Sequence, residues 1–121
     1  MDVKEMLRHV DHTQLQAFCT WEDIEKLCKE AIEFETASVC IPPAYVKMVN
    51  KNFGDKLNIC TVIGFPLGYQ ATAAKVAEVD EALKQGCNEI DMVINITDVK
   101  NGLYGKVEEE IRTIKKACGE H

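Results

Sequence analysis

The stretch Asn58-Ile59-Cys60-Thr61-Val62-Ile63-Gly64-Phe65-Pro66-Leu67-Gly68 decides the fold class. A short run of mostly apolar residues, cut off by Gly, Pro and Gly, reads as a buried strand running into a loop. Thr72 then starts a helical pattern, with Ala73, Val76, Ala77 and Leu83 expected to face inward until Gly86 stops it. A second strand pattern follows at Glu89-Ile90-Asp91-Met92-Val93-Ile94-Asn95. Near-continuous apolar strands joined by helices call for a parallel sheet covered by helices, so the class is α/β.

Working outward, the same alternation recurs. Upstream, Thr36-Ala37-Ser38-Val39-Cys40-Ile41 reads as a buried strand stopped by Pro42-Pro43, and Pro43 opens a helix with Val46, Val49 and Phe53 on one face and Gly54 at its C-terminal cap. Before it, Thr20 and Asp23 give an N-terminal cap signal to the stripe Ile24, Leu27, Cys28, Ala31 and Ile32. Asp2 and Glu5 cap a short leading helix carrying Val3, Met6, Leu7 and Val10. Downstream, a turn at Asn101-Gly102 leads to a last helix traced by Val107, Ile111, Ile114 and Cys118. One strand-helix unit takes about 20 to 30 residues, close to the roughly 30 of an eight-unit barrel of about 250 residues. The 121 residues therefore hold about four units. The expectation is a single parallel (βα)4 half-barrel over residues 1–121, half of a TIM (βα)8 barrel, with a short N-terminal helix. A doubly wound open sheet competes, but neither G-x-G-x-x-G nor G-x-x-x-x-G-K-[ST] occurs, and the proline in residues 64–68 fits a loop better than a phosphate cradle.

Composition removes several function classes. Fourteen Lys+Arg against 20 Asp+Glu give a net charge of −6, and the basic residues are scattered, so no nucleic-acid or anionic-lipid footprint is present. No apolar run approaches the roughly 18 residues of a membrane span, and Met1-Asp2-Val3-Lys4-Glu5 does not read as a signal peptide. No membrane partner and a soluble, cytoplasmic protein are expected. The six cysteines show no C-x-x-C spacing and are expected to be reduced and buried. His9 and His12 lack a third ligand at metal-binding spacing, so no metal site is expected there. In such a setting the Asn95-Ile96-Thr97 sequon is a chance match.

Four blocks carry a resemblance. Val10-Asp11-His12-Thr13, Ala37-Ser38-Val39-Cys40-Ile41-Pro42, Cys60-Thr61-Val62-Ile63-Gly64-Phe65-Pro66-Leu67-Gly68 and Glu89-Ile90-Asp91-Met92-Val93-Ile94-Asn95 stand in the order and with the intervening helices of deoxyribose-phosphate aldolases. The sequence closely resembles that family from about residue 8 onward. The resemblance implies a (βα)8 barrel and a class I aldolase, which cleaves 2-deoxyribose 5-phosphate reversibly to acetaldehyde and glyceraldehyde 3-phosphate through a lysine Schiff base, without metal or other cofactor.

By the same resemblance Asp91 is the candidate catalytic residue, a proton relay in a completed barrel; a carboxylate between Ile90 and Met92 is otherwise hard to tolerate in an apolar strand. Asp11 and Thr13 match a hydrogen-bonding pair at the mouth of the first strand. Cys40 matches a cavity-lining cysteine, Thr61 is expected to point into the barrel, and Asn95 to sit at the carboxyl end of its strand. Structural readings stand beside these, since each of the smaller residues also fits the satisfaction of buried polar atoms. The family's Schiff-base lysine lies in a later Val-Lys-Thr-Ser-Thr-Gly-like block, which this sequence does not reach before Lys115-Lys116-Ala117-Cys118-Gly119-Glu120-His121. No lysine present is expected in a desolvated setting, Lys75 included, where the first turn of a helix reads as solvated. The expectation is thus the N-terminal half of an aldolase, inactive alone, or a catalytically silent self-assembling half-barrel. Bare edges near residues 10–12 and 89–95 imply a homo-oligomer, a two-fold dimer first, or a complementary C-terminal half-barrel.

Overall fold

The computed structural model describes all residues, 1–121. The elements run α1 (Val3–Leu7), β1 (Asp11–Thr13), α2 (Trp21–Phe34), β2 (Ser38–Ile41), a 3-10 turn (Pro43–Tyr45), α3 (Val46–Phe53), β3 (Ile59–Ile63), α4 (Thr72–Lys84), β4 (Glu89–Met92), α5 (Ile96–Lys100) and α6 (Tyr104–Cys118). The four strands form one sheet in the order β1-β2-β3-β4. Every pairing is parallel, with His12 opposite Val39, Cys40 opposite Cys60 and Val62 opposite Asp91. No helix is long and apolar enough to cross a membrane.

Local chemistry sets the element boundaries. Asp2 accepts the Glu5 N–H at 2.8 Å and starts α1. Thr20 and Asp23 form a reciprocal capping box at α2, with Thr20 N–H donating to Asp23 at 2.9 Å and Asp23 N–H to Thr20 at 3.3 Å. The larger core packs Ile24, Leu27, Cys28 and Ala31 of α2 and Val46 and Val49 of α3 onto Val39, Ile41 and Ile59 of the sheet. A smaller one joins Ile63, Val79, Ile114 and Cys118 between β3, α4 and α6.

Two helix readings and one strand reading need correction. On α4 the buried positions are Lys75, Val79 and Ala82, whereas Ala73 and Ala77 face solvent and Val76 and Leu83 are half-buried. On α6 Glu110 is buried with Ile114 and Cys118, and Ile111 is exposed. The reason is common to both: a charged residue holds the inward phase of each helix, so a count of apolar residues alone turns the helix the wrong way. The strand expected over residues 89–95 ends at Met92, and the chain turns into α5.

Burial, with the Glu25 carboxylate nearby, pushes the Cys28 thiol up from its usual 9.0 to about 11. The folded protein then holds this proton more tightly than the unfolded chain, so the associated stability is complete below pH 9.0 and is lost as pH climbs through about 11. The thermal midpoint is expected to fall across that window, and Cys28→Ala to make the fall shallower. Parallel curves for the two proteins would remove Cys28 from the explanation.

Candidate active site

Successive residues of a strand point to opposite faces. Once Val39, Ile41, Ile59 and Ile63 pack under the helices, Asp11, Thr13, Ser38, Cys40, Cys60, Val62, Glu89 and Asp91 share the other, concave face. Cys40, Cys60 and Val62 cluster there with Leu15. A concavity of about 580 Å³ runs from this face along the free edge of β4, with Asp11, Cys60, Glu89 and Asp91 on the sheet and Ile111 and Lys115 on α6 among its walls.

The sequence candidates separate on this geometry. Asp91 is exposed on the concave face, and Cys40 Sγ, Cys60 Sγ and an Asp91 carboxylate oxygen all lie within 4.8 Å of one another. The Cys60 S–H holds the Cys40 thiol below its usual range, against burial and the negative charges of Asp91, Asp11 and Glu89. Donation to Cys40, together with burial, pushes the Cys60 thiol far up. Asp11 and Thr13 are linked through the backbone, the Thr13 hydroxyl donating to the Asp11 carbonyl at 2.7 Å. The Asp11 carboxylate instead accepts from the Ser38 hydroxyl at 2.7 Å, and it sits at the start of β1, away from the mouth.

Two candidates lie elsewhere. Thr61 pairs with Ile41 and Ile90, so it faces the helices and not the barrel interior; fully buried, its hydroxyl donates to the Ile41 carbonyl at 2.7 Å. Polarity in a buried run does not reveal the face, and the register does. Asn95 lies three residues past β4, where its side chain caps α5 by accepting the Asp98 N–H at 3.4 Å. His12 faces Glu30, with Nε2 3.4 Å from the carboxylate.

Lys75 overturns the expectation of a solvated lysine. It is fully buried, and its Nζ donates to Gly68 O at 2.6 Å, Val93 O at 2.9 Å and Glu110 at 2.6 Å. The loop after β3 is pinned at two points by α4: Gly64 N–H donates to Glu78 at 3.0 Å, and the Gly68 carbonyl receives Lys75. The loop after β4 is held by the same ammonium through Val93. Both glycines are required, with φ of 66° at Gly64 and 76° at Gly68. A Cβ on Gly64 would come within 2.7 Å of Lys75 Cε, and one on Gly68 would collide with the Ile94 carbonyl. The signal available in the sequence was phase, since Lys75 leads Val79 and Ala82, and Glu110 leads Ile114 and Cys118, at helical spacing.

Parallel strands in sequential order, a helix layer on one face and a concave polar face on the other define one half of a TIM-barrel fold. The family model described as DeoC/LacD family aldolase matches residues 1–121, and the chain belongs to that family. The deoxyribose-phosphate aldolase of Clostridium botulinum strain Alaska E43 is 57% identical over 119 residues, covering 98% of this chain and 54% of that protein. A structure described as a candidate deoxyribose-phosphate aldolase from Coccidioides immitis superposes with a TM-score of 0.91 at 35% identity, covering 97% of this chain and 47% of the other. The deoxyribose phosphate aldolase of Aeropyrum pernix, described as a tetramer of unique structure, gives a TM-score of 0.81 at 25% identity, with 95% and 50% covered. The chain spans about half the length of the relatives it matches.

Removing one partner of a buried ion pair leaves an uncompensated charge, which costs about 3–5 kcal/mol. Lys75→Met is expected to lower the unfolding free energy by that order, read from urea denaturation. Combining it with Glu110→Leu should recover much of the loss. A single variant within about 0.5 kcal/mol of the parent would be in the range of neutral surface changes and would show that the pair contributes nothing.

Proposed function

We propose that this chain forms the N-terminal half of a deoxyribose-phosphate aldolase, and that it turns over 2-deoxyribose 5-phosphate only when a second half completes the barrel. The observation that carries the reading is the 57% identity that runs through 98% of this chain while covering 54% of the relative. In this reading the completing half supplies the Schiff-base lysine. That amine condenses with the substrate carbonyl with loss of water, and the resulting iminium accepts the electron pair of the breaking carbon–carbon bond. Asp91 moves protons at the reacting centre from the concave face, Cys40 and Asp11 form part of the cavity wall, and Thr13 braces the first strand.

Lys75 does not serve as the nucleophile. Three acceptors surround its Nζ, leaving no lone pair aimed at a carbonyl, and it lies under the loops on the helix side of the sheet. Its role is to hold residues 64–68 and Val93 in place beside the mouth. The edges of β1 and β4 each have a single neighbour, and Ile94, Ile96 and Ile111 near the β4 edge are exposed. This surface supports a partner that continues the sheet, either the complementary half or a second copy. In the second case the chain is a silent assembly unit.

A coupled aldolase assay separates these readings. The chain alone is expected to show no turnover and no borohydride-trapped lysine with acetaldehyde, and mixing with a separately expressed second half of a relative should restore both. Trapping of one lysine with turnover in the isolated chain would overturn the proposal. In the reconstituted barrel Asp91→Asn should lower kcat by roughly 10² to 10⁴, the contribution of a general acid–base group. Full turnover in that variant would remove Asp91 from the chemistry.

A further inference from the structure

We propose that Asn101 is a site of spontaneous covalent modification, at which attack by the Gly102 nitrogen converts asparagine to aspartate and isoaspartate. The inference does not depend on the aldolase reading. The reaction needs one side chain and the peptide bond that follows it, so no residue of the concave face and no strand edge takes part. Of the six asparagines, Asn101 is the one followed by glycine. Elsewhere the Cβ of the next residue crowds the attacking nitrogen, whereas glycine leaves it open.

The structure separates Asn101 from the others a second time. The Asn52 carboxamide donates to the Met48 carbonyl at 2.8 Å and that of Asn58 to the Ala37 carbonyl at 3.2 Å. Asn88 accepts the Ile59 N–H at 2.9 Å, and Asn95 accepts the Asp98 N–H at 3.4 Å. Asn50 packs against Gly54 and Gly86. Asn101 is exposed, and nothing lies within 4 Å of the place a Cβ on Gly102 would take. Side chain and nitrogen therefore have room to meet.

What restrains them is the end of α5. Asn101 is its C-terminal cap, with φ −88° and ψ 4°, and Gly102 follows in the left-handed region at φ 71°. The Gly102 N–H donates to Val99 O at 3.0 Å and the Leu103 N–H to Asp98 O at 2.8 Å, the paired bonds of a glycine-terminated helix. Ring closure needs Cβ and the Gly102 nitrogen on the same side of the Cα–C bond, and a ψ of 4° holds them apart. The restraint is weak. Helix α5 has five residues and buries none of them, so it opens locally at little cost.

In the open turn the Gly102 nitrogen loses its proton to hydroxide and bonds to Asn101 Cγ, and the carboxamide nitrogen leaves as ammonia after taking a proton from water. Water then opens the succinimide. Cleavage at Cγ gives aspartate, and cleavage at the main-chain carbonyl gives isoaspartate; no electron is transferred. Either product adds one negative charge to the net −6, at a helix C-terminus, where negative charge is unfavourable. Isoaspartate also lengthens the main chain by one methylene between Asn101 and Gly102, which takes Gly102 out of its capping position. Both capping bonds are then lost, and α5 is freed between the Val93 anchor and α6.

The test ages the folded chain in mildly alkaline buffer and maps it by proteolysis, mass spectrometry and isoaspartyl methylation. Asn101 is expected to convert first, with isoaspartate as the larger product, while the other five asparagines stay intact. Asn101→Gln should abolish the acidic form seen on isoelectric focusing. Hydrogen exchange reads the cap itself: the Gly102 and Leu103 amides should be protected in the parent and in Asn101→Asp, and should exchange at least about tenfold faster in the isolated isoaspartyl chain. Earlier conversion of another asparagine, an acidic form that persists in Asn101→Gln, or unchanged protection in the isoaspartyl chain would overturn the proposal.

Discussion

Committing Val39, Ile41, Ile59 and Ile63 to the helix layer leaves the neighbouring side chains no choice of direction. A shift of one residue in β3 would turn Cys60 and Val62 against the helices and Ile59 and Ile63 to the open face, and the same shift in β4 would turn Asp91 to the helices. The cores under α2, α3, α4 and α6 therefore fix the concave face as firmly as they fix themselves. Every group with chemical potential on that face is placed by apolar packing on the opposite one. Ser38 adds a polar tie, holding the Asp11 carboxylate across two strands.

Helix α4 performs a second task beyond covering the sheet. Its Glu78 and Lys75 reach Gly64 and Gly68 in the loop after β3, Glu78 accepting the Gly64 N–H and Lys75 donating to the Gly68 carbonyl. The Lys75 ammonium also reaches Val93 and Glu110, so one buried cation joins both loops to α6. Such a cation is costly to bury unless all its donors are used and a counter-charge is present, and both conditions are met here. The arrangement converts loops that would otherwise be mobile into fixed walls.

The fold class was legible because its signals are local. The capping box at Thr20 and Asp23, the apolar runs around Val39 and Val62, and the glycine-proline stops all act within a few residues. What the sequence hid was set by pairing between distant segments. Thr61 looked like a cavity residue until its register with Ile41 turned it to the helices, and Asn95 proved to be a helix cap because β4 ends earlier than its apolar run. Cys40 and Cys60 stand twenty positions apart and become neighbours only through a parallel crossover. Lys75 and Glu110 were hidden differently: each occupies an apolar phase, and neither is tolerable there without the other. Asp91 was found through the four family blocks, and its place on the concave face follows from register alone.

The strand order β1-β2-β3-β4 means that each new strand docks beside the one made just before it. No strand has to wait for a distant partner or thread between two that are already paired. A polypeptide emerging from the ribosome N-terminus first can thus add one strand and its covering helix at a time, each closure spanning a single helical crossover. The growing edge is always the most recently synthesised strand, the edge that β4 presents in this structure. Translation itself runs in the direction in which the sheet extends.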